Sequence, residues 1–203
     1  MAVPPRNRNH AAVRALAYCA AAALAGCAGG PQPPDWQLNA RGALSQYERH
    51  YLAGDSALAE KEFANAKREI ARTGRIDLVA RAELLRCAVR TASLEFDDCP
   101  AFEALREEAG AEELAYAEYL AGRGKRKAND GPLSRLVAAA VELKTGALAP
   151  PGIAAAVEIA SARGWRRPLL AWLAVQEKRA AAAGDHAAVA QIRKRIELIT
   201  GSD

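Results

Sequence analysis

What this chain has little of narrows its chemistry before any motif is read. Of its 203 residues only three are histidine, four cysteine and one methionine, and aromatic side chains make up 5%. Beyond residue 26 the histidines are His50 and His186, far apart and without a cysteine or carboxylate at zinc-ligand spacing, so neither a metal nor another cofactor site is expected. A Gly-rich phosphate loop is missing. Glu95, Asp97 and Asp98 lack the spacing of a calcium loop, so a solvated turn is the expected reading of that acidic knot. No alternating segment reaches strand length, and no apolar run approaches the roughly 20 residues of a membrane-crossing helix.

The one sustained apolar run lies at the start. Residues 1–26 carry Arg6, Arg8 and Arg14, no acid, and then an Ala-rich stretch from Ala15 to Gly26, the layout of a secretory signal. The run ends in Leu24-Ala25-Gly26-Cys27, which resembles the lipobox of bacterial lipoproteins, where a long apolar residue and two small ones precede a lipidated cysteine. The resemblance implies that residues 1–26 are removed and that Cys27 carries a covalent diacylglycerol, with a further acyl chain such as palmitate on its new amino group. Cys27 is then an anchor in the lipid bilayer and not a catalyst. At about 0.8 kcal/mol per buried methylene, two or more chains hold durably where one holds weakly. Ala28 stands where an Asp often keeps such proteins at the inner membrane, so outer-membrane placement facing the periplasm is implied.

Three of the 28 basic side chains and none of the 24 acidic ones lie in residues 1–26, so the other 177 residues carry 25 against 24. That balance creates no long-range field to favour nucleic acid, and export argues against such a partner. Cys19 leaves with the signal, so Cys87 and Cys99 are the remaining pair, and an even pair in an exported chain is expected to close. Closure encloses about 13 residues, worth roughly 3 kcal/mol on the chain-entropy model.

Residues 27–36 combine Gly and Pro without apolar periodicity and read as a lipidated, flexible tether. From Trp36 onward about a quarter of the residues are Ala and the periodicity is helical. The fold class expected for residues 37–203 is all-α, built of antiparallel hairpins. Helices are expected over 37–53, from Asp55 or Ser56, over 77–94, and near 100–108, 111–121, 132–145, 151–163, 167–183 and 185–199. The second shows one apolar stripe, Ala59, Phe63, Ala66 and Ile70. The third shows two, Leu78, Ala82, Leu85, Val89 and Ala92 on one side and Ala80, Leu84, Cys87 and Leu94 on the other, which suits a helix sandwiched between neighbours. A turn-rich, basic stretch at 122–132 marks an exposed loop or a break between subdomains.

Gly54-Asp55 followed by Ala59, Phe63 and Ala66 resembles the turn and second helix of a tetratricopeptide repeat. There small residues let paired helices approach and an aromatic fills the gap to the next hairpin. Gly184-Asp185, with Trp172 and Leu173 before it and Val189, Ile192 and Ile196 after it, resembles a terminal repeat. Two positions depart from the pattern: Tyr47 stands where the family has a small residue, and Arg193 where it has the aromatic. The resemblance implies a short α-solenoid whose groove binds another protein of the cell envelope.

Two surface clusters are candidate interaction sites: Arg123, Lys125, Arg126 and Lys127, which suit lipid phosphates or an anionic partner, and Trp165 with Arg166 and Arg167, a mixture enriched at interfaces. Gly54-Asp55-Ser56-Ala57-Leu58 resembles the opening motif of a serine esterase family. That chemistry needs a serine after a strand and a spaced Asp-x-x-His, whereas Ser56 opens a helix and Asp185 and His186 are adjacent. The function expected is therefore non-catalytic: a membrane-anchored periplasmic interaction module. The alternatives are a cell-wall or ester hydrolase using scattered carboxylates such as Glu103, Glu107 and Glu113, or a structural spacer.

Overall fold

The computed structural model describes residues 32–125 and 130–201, and every regular element among them is helical. Cys27, Arg126 and Lys127 lie outside the described residues. Residues from Asp35 onward form one compact unit. Its helices are α1 (Asp35–Ala53), α2 (Ser56–Ala71), α3 (Ile76–Ala92), α4 (Pro100–Glu103), α5 (Ala111–Leu120), α6 (Pro132–Lys144), α7 (Pro150–Ala162), α8 (Arg166–Ala182) and α9 (His186–Thr200), with a 3-10 turn at Arg106–Glu108.

Start and stop signals explain most boundaries. Pro100, Pro132 and Pro150 each occupy the first turn of a helix, where the missing N–H costs nothing. Asp55 and Asp185 cap α2 and α9, their carboxylates accepting from Leu58 N at 3.1 Å and Ala188 N at 2.9 Å. Each follows a glycine at positive φ, 99° at Gly54 and 72° at Gly184. In both turns the aspartate N–H reaches back five residues, to the carbonyl of His50 at 2.9 Å and of Ala180 at 3.0 Å. The two Gly-Asp turns are thus one device used twice.

Three boundaries differ from expectation. Helix α1 starts at Asp35, so Asp35 and Trp36 belong to it and not to the tether; an acid in the first turn suits the positive end of the helix dipole. Helix α3 stops at Ala92 because Leu94 adopts a left-handed φ of 62° and Glu95 N–H returns to the Arg90 carbonyl at 3.0 Å. A leucine does there what glycine does elsewhere, which hid the stop. The stretch 100–108 is broken at Leu105, where φ is −117°, into α4 and the 3-10 turn.

Helices α1 and α2 pair closely, and α3 packs against both. Beyond the α4–α5 excursion, α6 returns to α3; α7, α8 and α9 follow as successive packed pairs, and α8 also contacts α1. The core has two clusters. The smaller joins Tyr47, Tyr51 and Leu52 of α1 with Ala59, Phe63 and Ile70 of α2 and Ala82 and Val89 of α3. The larger includes Leu84 and Cys87 of α3, Phe102, Leu136, Ile153, Trp172 and Ile192. Helix α3 therefore contributes to both, as its two stripes require. Ala92 is the exception, joining the larger cluster instead of the Val89 side. Trp172 is the reason: fully buried, it donates its indole N–H to the Ala92 carbonyl at 3.2 Å and ties α8 to the end of α3.

The corner after α3 is held covalently. Cys87 and Cys99 form a disulfide with α-carbons 5.5 Å apart, within the usual reach. Between them, Leu94, Asp98 and Cys99 itself all have positive φ, a conformation costing about 1–2 kcal/mol for each non-glycine residue. The acidic knot is not merely solvated: Arg90 meets Asp97 at 3.0 Å and Glu95 at 3.5 Å, and Lys144 meets Asp98 at 3.2 Å.

Trp172→Ala is expected to lower unfolding stability by about 3–5 kcal/mol through lost packing. Trp172→Phe, which keeps a ring but orphans the Ala92 carbonyl, should cost about 1–3 kcal/mol. Urea titrations of the two variants measure both. By the same assay, replacing Cys87 and Cys99 with Ser should cost about 2–4 kcal/mol, and amide exchange should quicken first at residues 94–99.

Candidate functional site

The apolar stripe of α1 is longer than its partner α2 can cover. At four-residue spacing, Ala40, Leu44 and Glu48 face the same way, and α3 offers Leu78, Ala82 and Leu85 opposite. Between them lies an open hollow of about 420 Å³, with Trp36 at one end, Ile70 and Ala82 buried in its floor and Arg41 and Ser45 on its rim. A second hollow of about 450 Å³ shares Arg81 and Leu85 with the first and continues past Leu84 to Tyr116 of α5, with Glu112, Glu113 and Lys125 around it. The two make one groove along α1, α3 and α5. Arg81 stands at the junction, its guanidinium 2.6 Å from the Glu113 carboxylate.

Glu48 is the anomaly of this groove. It is half-buried among the apolar walls, and burial alone pushes its carboxyl above the ordinary glutamate range, with no cation drawing it back. The more buried ionised groups at the α1–α2–α3 junction, Glu83 and Arg86, are matched. Glu83, whose side chain is 2% exposed, is held by Lys67 at 2.6 Å. Arg86 grips Glu60 with one nitrogen at 2.8 and 2.9 Å from its two oxygens while its guanidinium lies 4.9 Å from the centre of the Phe63 ring.

In the expected cluster of Trp165, Arg166 and Arg167, one cation turns inward. Arg167 spends its donors inside the protein, on the Tyr51 carbonyl at 2.8 Å, Ser56 Oγ at 2.6 Å and Glu95 at 3.3 Å, and stacks 4.2 Å from the Tyr51 ring centre. It therefore clamps α8 onto the α1–α2 turn. Trp165 is half-buried and packs against both core clusters, and Arg166 beside it is half-buried as well. Of the basic loop, Arg123 pairs with Glu118 at 2.7 Å, and Lys125 is exposed at the edge of the second hollow. Two cations, Arg123 and Arg106, hold the Glu118 carboxyl down at about 2.

The scattered carboxylates are not brought together. Glu103 pairs with Arg106 at 2.9 Å, Glu113 with Arg81, and Glu107 sits exposed in the 3-10 turn. Ser56 opens α2 with its hydroxyl engaged by Arg167. Cys87, Asp97 and Cys99 offer ligand atoms within 4.8 Å of one another, but sulfurs joined to each other have no thiolate to give a metal. Sequence reasoning expected a groove from the repeat resemblance but did not place it, and it read Leu78 and Leu85 as part of a covered stripe. The available signal was the Leu78–Ala82–Leu85–Val89 stripe of α3, which carries more apolar residues than α1 and α2 cover.

For Glu48 the folded carboxyl titrates above the unfolded one, so its ionisation subtracts stability as pH rises through that interval. Glu48→Gln should accordingly be more stable than the parent at pH 7 and indistinguishable from it at pH 3, below the ordinary glutamate value of about 4.3. Urea unfolding at the two pH values measures this. Comparison with known proteins yields no match: no family model, no curated protein and no solved structure matches the chain.

Proposed function

We propose that the chain is a membrane-anchored periplasmic lipoprotein whose helical domain is a non-catalytic protein-protein interaction module of the cell envelope. The observation that carries the binding part is the groove along α1, α3 and α5, a surface with aliphatic walls and a charged rim of the kind that binds a polypeptide segment. The separation of Glu103, Glu107 and Glu113 favours binding over hydrolysis, and an apolar groove is not what a mere spacer needs. The anchor rests on Leu24-Ala25-Gly26-Cys27 and the segment before it. Among the described residues no helix is long and apolar enough to cross a membrane, so attachment in this reading depends on Cys27.

We read the α1–α2 and α8–α9 hairpins as repeats of tetratricopeptide type. Support comes from their shared Gly-Asp turn geometry and from the buried small-aromatic-small stripe of Ala59, Phe63 and Ala66. The departures are accommodated by packing. Tyr47 lies against Phe63 with ring centres 5.1 Å apart, and Arg193 pairs with Glu177 at 2.7 Å. Contact of α8 with α1 makes the stack more closed than an open solenoid.

Cys27→Ala should abolish incorporation of radiolabelled palmitate and shift the protein from the membrane to the soluble fraction. Gentle crosslinking followed by detergent solubilisation and affinity capture should then recover a reproducible envelope protein with the parent chain and lose it with the variant. Unchanged labelling and fractionation would reject the anchor, and a capture free of partners would reject the interaction module.

A further inference from the structure

Of the charges lining the groove, Glu48 is the one that is half-buried without an ion-pair partner among the described residues, whereas Arg41 on the rim and Lys125 at the far edge are exposed to solvent. Glu48 stands beside Leu44 on the α1 wall, across from Leu78 and Leu85 of α3, where solvent is only partly available and no described cation forms an ion pair with it; Arg41, two turns earlier on α1, stays exposed on the rim. The nearest arginine of the opposite wall, Arg81, is already committed to Glu113. A half-buried carboxylate loses hydration, and unless a cation replaces it that loss is uncompensated. Both walls are helices, and the apolar residues that they offer recur at helical spacing, Ala40 and Leu44 on α1 and Leu78, Ala82 and Leu85 on α3. A third helix laid there would bury an apolar stripe against Leu44, Leu78 and Leu85, as helix-in-groove complexes do.

We propose that the α1–α3 groove receives an amphipathic helix from a partner protein, and that this helix sets a single lysine or arginine, flanked by apolar residues on the same face, against Glu48. The inference rests on the reading of this domain as an interaction module and names the chemistry that its groove selects. Burial of the pair on complex formation strengthens an attraction that is weak in water, and a partner with an acid at that position meets like charge in a desolvated site. Glu48 therefore chooses among apolar helices that the aliphatic walls would accept alike.

The test uses the full chain purified in detergent and a display library of Ala-rich helical 16-residue peptides in which one face is randomised. Selection on the parent chain should enrich apolar residues at i, i+4 and i+7 together with Lys or Arg on that face. A synthetic selected peptide, followed by fluorescence anisotropy, should bind Glu48→Gln about tenfold more weakly. Selection on Glu48→Lys should enrich Asp or Glu at the position where the parent enriches a base. Leu85→Asp should lose every selected peptide, and circular dichroism with urea midpoints checks that each variant folds. Peptides that need Leu85 but bind parent and Glu48→Lys equally overturn the inference while leaving the interaction module standing. A selection that enriches nothing, combined with membrane capture that yields no partner, overturns both. A concentration-dependent dimer in sedimentation that disappears in Leu85→Asp would also overturn the inference, since the groove would then be filled by a second copy.

Discussion

Helix α3 has two apolar sides, and the arrangement of the rest follows from that constraint. A helix with one stripe can be satisfied by one neighbour, but Ala82 and Val89 require cover on one side while Leu84, Cys87 and Ala88 require it on the other. The α1–α2 hairpin supplies the first and α6, with the elements behind it, the second. Since the cover comes from both ends of the chain, closure is needed to keep α3 sandwiched, and α8 provides it. Trp172 satisfies the end of α3 and Arg167 grips the end of α1, so the two halves are bound through α8 at both cores.

Polar groups are distributed to suit this sandwich. Arg86 and Arg90, on successive turns of α3, lie where its two apolar sides meet and are matched by acids from α2 and from the loop after α3. Lys67 does the same for Glu83, the one charged side chain that is buried among the described residues. Exposed members of such pairs contribute little individually, because water screens them. Their effect is on arrangement, since a buried carboxylate without its lysine would be costly and so selects the register in which α2 meets α3. The disulfide acts alongside them at the corner where three residues hold left-handed backbone angles, limiting the alternatives open to the unfolded loop.

The groove follows from the same geometry. Helix α1 gives its C-terminal half, with Tyr47, Tyr51 and Leu52, to the core, while Trp36, Leu44 and Glu48 line the wedge between it and α3. None of the described residues fills that wedge, so the surplus apolar surface of α3 is displayed among them. A stability-optimised helix pair would place a polar residue at Leu44 and solvent around Glu48. The combination found here leaves apolar surface uncovered and a carboxylate partly desolvated at some cost in stability, as the proposed recognition role would require.

Local chemistry made most of the fold legible. Asp55, Gly54, Asp185, Gly184 and the three helix-opening prolines act on backbone groups within a few residues of themselves, so sequence alone determined that the chain is all-helical, roughly where each helix lies, that α3 is sandwiched and that Cys87 and Cys99 meet. It also carries the lipobox-like segment. Only the tertiary structure decided which partners each side chain takes. Arg167 reads in the sequence as a surface cation beside Trp165, yet its partners Tyr51, Ser56 and Glu95 lie more than 70 residues away. The knot of Glu95, Asp97 and Asp98 reads as solvated because Lys144 and Arg167 approach only through packing. Leu94 ends α3 without a glycine because the corner that it turns is imposed by the disulfide and by α8. The groove's position was illegible for the same reason: periodicity tells which face of a helix is apolar, but whether that face is covered depends on the positions of helices far along the chain.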